Sequence, residues 1–144
     1  MPNVRQVTPF VFTRDLKASC AFFKGLGIIP SFLLEEHGYA YCTDGTVGIR
    51  LLELGQDQDI AEQLVYFDVE DVDALYQTHK PFLDTLPEGR VRGPVDQTYG
   101  QRELHVKDPD NGLLMFGHNV ARAEGGLAKV GFVKSTLVLV RRNP

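Results

Sequence analysis

The sequence contains no tryptophan and only two cysteines among 144 residues. Two thiols, Cys20 and Cys42, are too few for a disulfide framework or a cysteine metal knuckle, so both are expected free in a reducing compartment. No long apolar run exists. Stretches such as Val11-Phe12 and Leu113-Leu114-Met115-Phe116 fall far short of the roughly 20 residues that cross a bilayer, and no membrane partner is expected. The opening Met1-Pro2-Asn3-Val4-Arg5 lacks the basic-then-apolar layout of a secretory signal, which makes the cytoplasm the expected location. Lysine and arginine form no stripe, and the net charge is −4. A phosphate backbone needs clustered positive charge, so a nucleic-acid partner is not expected. The mild negative balance is compatible with a cationic ligand without demonstrating one. Gly-rich phosphate loops, GxSxG and HExxH are absent as well.

What is present reads as one ordinary folded domain. The apolar fraction is 43% and the charged fraction 24%, typical of globular chains. The length suffices for a real hydrophobic core.

Along the chain, Gln6 to Thr13 is rich in β-branched and aromatic residues and predicts a strand. Pro9 inside it cannot donate to a ladder, which places that strand at an edge, a bulge or a crossover. Asp15 is a helix N-cap for Leu16 to Lys24, with Leu16, Cys20 and Phe23 at helical spacing. Gly25 and Gly27 end it. Three strands follow at Ile28 to Glu35, Tyr39 to Thr43 and Val47 to Leu54, the last two joined through the tight-turn pair Asp44-Gly45. The second half repeats this order. Gln63 to Val69 predicts a strand, Asp71 caps a helix carrying Val72, Leu75 and Tyr76, and Pro81 is expected to end it. Strands near Arg90 to Val95, Gln101 to Val106 and Leu113 to His118 complete the set, with the turn cluster Asp108-Pro109-Asp110-Asn111-Gly112 before the last.

The two halves also match in letters, Arg14-Asp15-Leu16-Lys17-Ala18 against Glu70-Asp71-Val72-Asp73-Ala74. The fold class expected is α+β: two β-α-β-β-β modules, about 5–54 and 63–119, within one domain spanning 1–120. The polar spacer Gly55 to Glu62 reads as the hinge between them. Residues 121–144 read as a C-terminal extension, with Val130 to Val140 as an extra strand.

Two motifs carry a resemblance. Thr13-Arg14-Asp15-Leu16 leads to Ala21-Phe22-Phe23 and Leu26-Gly27, and Tyr99-Gly100-Gln101-Arg102-Glu103 leads to Asp108-Pro109. At this separation they resemble the bleomycin-resistance proteins of the glyoxalase/bleomycin-resistance/dioxygenase (vicinal oxygen chelate) superfamily, over about Arg5 to Asn119. The resemblance implies paired βαβββ modules that curl into an open half-barrel. It implies a divalent metal in enzyme members, and in resistance members a homodimer whose interfacial grooves sequester a bulky drug without chemistry. Pro9 resembles the proline near which the first strand crosses between subunits; an ordinary edge-strand proline is the equal alternative.

The metal positions of the enzyme members match Thr8, Leu64 and Met115 here, and only Glu53 falls where some members place an acidic ligand. Two nitrogen donors are thus replaced, and a thioether is a poor ligand for a hard divalent cation. No metal, no cofactor and no catalytic residue is therefore expected. His37, His79, His105 and His118 read as scattered, and Cys20 and Cys42 as packing residues, Cys20 on the buried helix face.

A groove for a bulky organic ligand should be mostly apolar and aromatic with a few orienting polar groups. The resemblance points to Phe32, to Tyr66 and Tyr99 where resistance proteins carry ring-stacking tryptophans, and to Tyr39 nearby. Tyrosine stacks more weakly than tryptophan, which puts bleomycin itself in doubt as the ligand. For each of these aromatics core packing is the competing reading, and Phe10, Phe12, Phe22, Phe23 and Phe67 are assigned to packing. Arg102 is a candidate for orienting an anionic group or for pairing with a carboxylate. Glu35 and Glu36 are candidates for an acidic rim or a solvated strand end. The function expected is stoichiometric sequestration of a bleomycin-like or other aromatic antibiotic by a homodimer. The alternatives are a metal-dependent lyase, isomerase or dioxygenase with atypical ligands, and a ligand-free interaction protein.

Overall fold

Asp15 and Asp71 each convert extended chain into helix. Both sit in β conformation, with φ −139° and −148°, and their carboxylates accept from the backbone N–H groups of Ala18 and Ala74. Each satisfies a helix-end donor that has no partner within the helix. The first helical N–H groups are met from a neighbouring strand instead. Leu16 donates to Glu53 Oε2 at 2.8 Å and Val72 donates to His118 Nδ1 at 2.9 Å. The sequence repeat is therefore a repeat of capping chemistry.

The computed structural model describes residues 3–121. They form β1 (Phe10–Thr13), α1 (Leu16–Gly25), β2 (Ile29–Leu34), a 3-10 turn (Glu35–His37), β3 (Tyr39–Thr43) and β4 (Gly48–Glu53). The second set is β5 (Leu64–Asp68), α2 (Val72–Leu83), β6 (Val91–Asp96), β7 (Gln101–Lys107) and β8 (Leu113–Asn119). The chain divides into two compact units at Ala61 and Glu62, within the polar spacer.

Each unit is one βαβββ module with a four-stranded mixed sheet. The orders are β1-β4-β3-β2 and β5-β8-β7-β6. In each the strand before the helix runs parallel to the last strand, and the remaining neighbours are antiparallel. Neither sheet closes into a barrel. Each second strand carries a register shift, between Pro30 and Phe32 in one unit and between Arg92 and Val95 in the other.

Each helix covers one face of its own sheet. In the first unit Leu16, Phe22 and Phe23 of α1 are buried with Val11, Ala40, Cys42, Ile49 and Leu51. In the second, Val72 and Leu83 are buried with Leu104, Val106, Leu114 and Phe116, and Phe67 stacks on Phe116 at 4.8 Å. Burial of each such side chain contributes about 1.5–3 kcal/mol. Among the described residues no helix is long and apolar enough to cross a membrane.

Several expectations need correction. The first strand begins at Phe10, not Gln6, because β1 pairs only with β4 and has no partner upstream; the Pro9 carbonyl accepts from the Arg50 N–H, and nothing else of Pro9 can join a ladder. Pro81 does not end α2, which runs on to Leu83. A proline so near the C-terminus forgoes one intrahelical bond, and the Asp84 N–H still reaches the Lys80 carbonyl at 2.8 Å. Ser19, not Cys20, occupies the buried stripe of α1 beside Phe22 and Phe23; Cys20 is half-buried. Its hydroxyl bonds to that of Thr13, which lets a polar residue sit there. Glu35 opens the 3-10 turn rather than ending a strand, and pairs loosely with Lys17 at 3.9 Å on the surface. Phe10 is 44% exposed, so it is not a core residue of its unit. The extra strand expected at Val130 to Val140 lies outside the described residues.

Candidate functional site

Side chains alternate across a strand, so the sheet face away from each helix can be read from the register. In the first unit Ala40 and Cys42 point toward α1, which leaves Tyr39 and Tyr41 on the open face. Pairing adds Leu52 and Arg50 from β4, Phe10 and Phe12 from β1, and Phe32 from β2. The Arg50 guanidinium lies 5.4 Å from the centre of the Tyr41 ring, and its Nη1 donates to the Tyr39 hydroxyl at 2.6 Å. Phe32 meets Tyr39 edge-on at 6.2 Å and is 52% exposed. An arginine clamped this way holds both tyrosine rings in place, so the face is preorganised as well as aromatic.

The face of the second unit away from α2 is polar at its centre. Glu103 and His105, two residues apart on β7, point to the same side and are both about 1% exposed. Glu103 Oε1 accepts from the Tyr99 hydroxyl at 2.7 Å and lies 2.8 Å from His105 Nε2. Tyr99 comes from the turn between β6 and β7. Tyr66 of β5 donates to Gln101 Oε1 at 2.9 Å, and Gln101 in turn donates to Asn119. Glu103 Oε2 and His105 Nδ1 are buried without a partner.

The electrostatics follow from these contacts. Burial opposes ionisation of Glu103, but the hydrogen bonds from His105 and Tyr99, with the Tyr66 hydroxyl nearby, together outweigh it and hold the carboxyl below its usual range. The Tyr66 hydroxyl is close enough to stabilise the carboxylate although its directed hydrogen bond goes to Gln101. Burial pushes the Tyr66 and Tyr99 phenols well above their ordinary value, and the neighbouring Glu103 charge pushes them further. Both phenols keep their protons, and the carboxylate is the charged member of the cluster.

The candidate residues fall into two groups and one outlier. Phe32 and Tyr39 share the open face of the first unit, joined by Tyr41 and Arg50. Tyr66 and Tyr99 share the Glu103 cluster in the second. Arg102 is apart: it lies on the α2 side of its sheet, with Nε 3.0 Å from Asp73 and Nη1 3.0 Å from Asp96. Of the two roles weighed for it, carboxylate pairing is the one present. Glu103 and His105 were not singled out as site residues from the sequence. Their spacing of two on a strand was the available signal, since it puts both side chains on one face.

The residues at the positions that the resemblance gives to a metal do not fit a divalent cation. Thr8 precedes β1, Leu64 and Met115 offer no oxygen or nitrogen donor, and Glu53 faces α1 as its cap. Among the described residues no three His, Cys, Asp or Glu side chains gather as a candidate metal site.

Comparison with known proteins identifies the family and the fold. Residues 5–116 match the family model described as Glyoxalase/Bleomycin resistance protein/Dioxygenase superfamily. No curated protein sequence matches. Among solved structures, the chain is similar to a bleomycin resistance determinant encoded on the transposon Tn5, with 21% identity and a TM-score of 0.68 over 81% of this chain and 98% of that one. It is equally similar to a bleomycin-binding protein complexed with bleomycin, at 21% identity and TM-score 0.68 over 81% and 99%. A lactoylglutathione lyase from Agrobacterium tumefaciens follows at 16% identity and TM-score 0.61 over 81% and 96%. At these identities the likeness is one of fold.

Proposed function

The chain belongs to the Glyoxalase/Bleomycin resistance protein/Dioxygenase superfamily, and we propose that within it this protein binds and sequesters an aromatic organic molecule without transforming it. The observation that carries this reading is the open face of the first unit. Phe32, half exposed, stands beside Tyr39 and the Arg50–Tyr41 pair on a face that α1 does not cover. Aromatic rings held in place and left exposed are what a flat ligand stacks on, each pairing worth about 0.5–1.5 kcal/mol beyond the area buried. The donor set at Thr8, Leu64 and Met115 gives no support to a metal-assisted reaction.

The ligand class we propose is an aromatic antibiotic of the bleomycin kind, in keeping with the similarity to a bleomycin-binding protein of the same fold. Without tryptophan, stacking falls to tyrosine and phenylalanine. The binding species is proposed to be a cytoplasmic homodimer, in which two chains together enclose the ligand and confer resistance by sequestration.

A thermal-shift screen tests the proposal, since a ligand that binds only the folded state raises its apparent stability by mass action. A rise with aromatic drugs supports sequestration. A rise with divalent cations alone refutes it.

A further inference from the structure

We propose that Glu103 makes the second unit a charge-selective subsite, in which its carboxylate receives a cationic nitrogen of the ligand, an ammonium or an amidinium. This deepens the reading of an aromatic-ligand binder and rests on it.

The subsite is built, not incidental. The Glu103 side chain is fully buried, its hydrogen-bond partners among the described residues are Tyr99 and His105, and Oε2 has none. Among the described residues no lysine or arginine pairs with it, and its basic neighbour is His105, with Nε2 2.8 Å from Oε1. A buried carboxylate with an unused oxygen attracts a charge-bearing N–H donor more strongly than any neutral one. The neighbours reinforce that preference. The Tyr99 hydroxyl spends its proton on Glu103 and the Tyr66 hydroxyl spends its proton on Gln101. The Tyr66 phenol oxygen is then left with lone pairs to offer. With Nε2 donating to Glu103, His105 Nδ1 is an acceptor too. The Tyr66 phenol oxygen and His105 Nδ1 are thus acceptors beside the buried carboxylate.

Access is through Tyr66. The residue is 37% exposed, and its hydroxyl lies over Gly117, where a side chain would also press on the Glu103 Cγ at 3.0 Å. A ligand cation entering beside Tyr66 meets the ring face before the carboxylate, and both attract it. Glu103 reads the charge, and Tyr66 and Tyr99 hold it in position.

Calorimetric titration of the full chain with 2-naphthamidine and 2-naphthamide tests this, because the two share a ring system and differ in charge. The subsite predicts that the wild type binds the amidine about tenfold more tightly or better, and that Glu103→Gln removes the preference. Equal affinity of the wild type for both compounds overturns the subsite and leaves the aromatic-binding reading standing. A preference that survives Glu103→Gln overturns it as well. Binding of neither compound by the wild type removes the aromatic-binding reading, and the subsite with it. The wild-type comparison needs no variant, so it decides the matter even if Glu103→Gln fails to fold.

Discussion

Tyr66 and Gly117 share one space: a Cβ at residue 117 would collide with the Tyr66 hydroxyl. The first unit repeats the arrangement, with the Tyr41 ring lying where a side chain at Gly48 would be. In both units a glycine on the last strand makes room for a tyrosine on the face away from the helix. Gly117→Ala should therefore displace Tyr66 and loosen the Glu103 cluster. The expected cost is about 1–3 kcal/mol of stability, together with weaker ligand binding, read by thermal denaturation and titration. Unchanged stability and affinity would mean that Tyr66 has another resting place.

Glu103 should leave a signature in acid. Its carboxyl titrates below the ordinary value of 4.5 in the folded protein, with burial opposing ionisation and His105, Tyr99 and Tyr66 favouring it more. A depressed folded pKa gives stability that is fully present above the unfolded pKa and is lost as pH falls through the folded one. Wild-type stability should thus decline as pH drops below the ordinary carboxylate range, and Glu103→Gln should decline less over the same window. Denaturant melts at a series of acidic pH values check this; parallel curves would contradict it.

Glu53 separates a cap from a metal remnant. It accepts the Leu16 N–H at 2.8 Å, so Glu53→Ala should cost about 0.5–2 kcal/mol. The cost should be the same with and without chelator. A loss that appears only when divalent metal is supplied would instead make Glu53 a ligand.

Cys42 should be inert to alkylation at mildly alkaline pH. Burial pushes its thiol up, and the neighbouring Cys20 adds to the effect, to about 12. The thiolate is the nucleophile, so little of it is available. Mass spectrometry after iodoacetamide treatment should find Cys42 modified only once the protein is unfolded.

The sequence made the architecture legible because the repeat is carried by short-range chemistry. Asp15 and Asp71 announce their helices, Asp44-Gly45 and the Asp108 cluster announce their turns, and the strand after each turn is read by its apolar run. The aromatics Phe32, Tyr39, Tyr66 and Tyr99 were legible as candidates by type and by resemblance. The Arg50 clamp and the Glu103–His105 pair were not. Those depend on which strand faces which, and cross-strand register is set by long-range pairing that no local pattern encodes. Arg102 illustrates the same limit: one step along β7 moves a side chain from the Glu103 face to the α2 face, where Asp73 and Asp96 hold it.

The aromatic face of the first unit is the central claim, and Phe32→Ala tests it most directly. Phe32 is 52% exposed, so its removal should barely change the melting temperature of the free protein. Titration with bleomycin and a panel of other aromatic drugs should give at least one that binds the wild type, and the variant should bind it about tenfold more weakly. A panel in which nothing binds, or a ligand whose affinity Phe32→Ala leaves intact, would contradict the account.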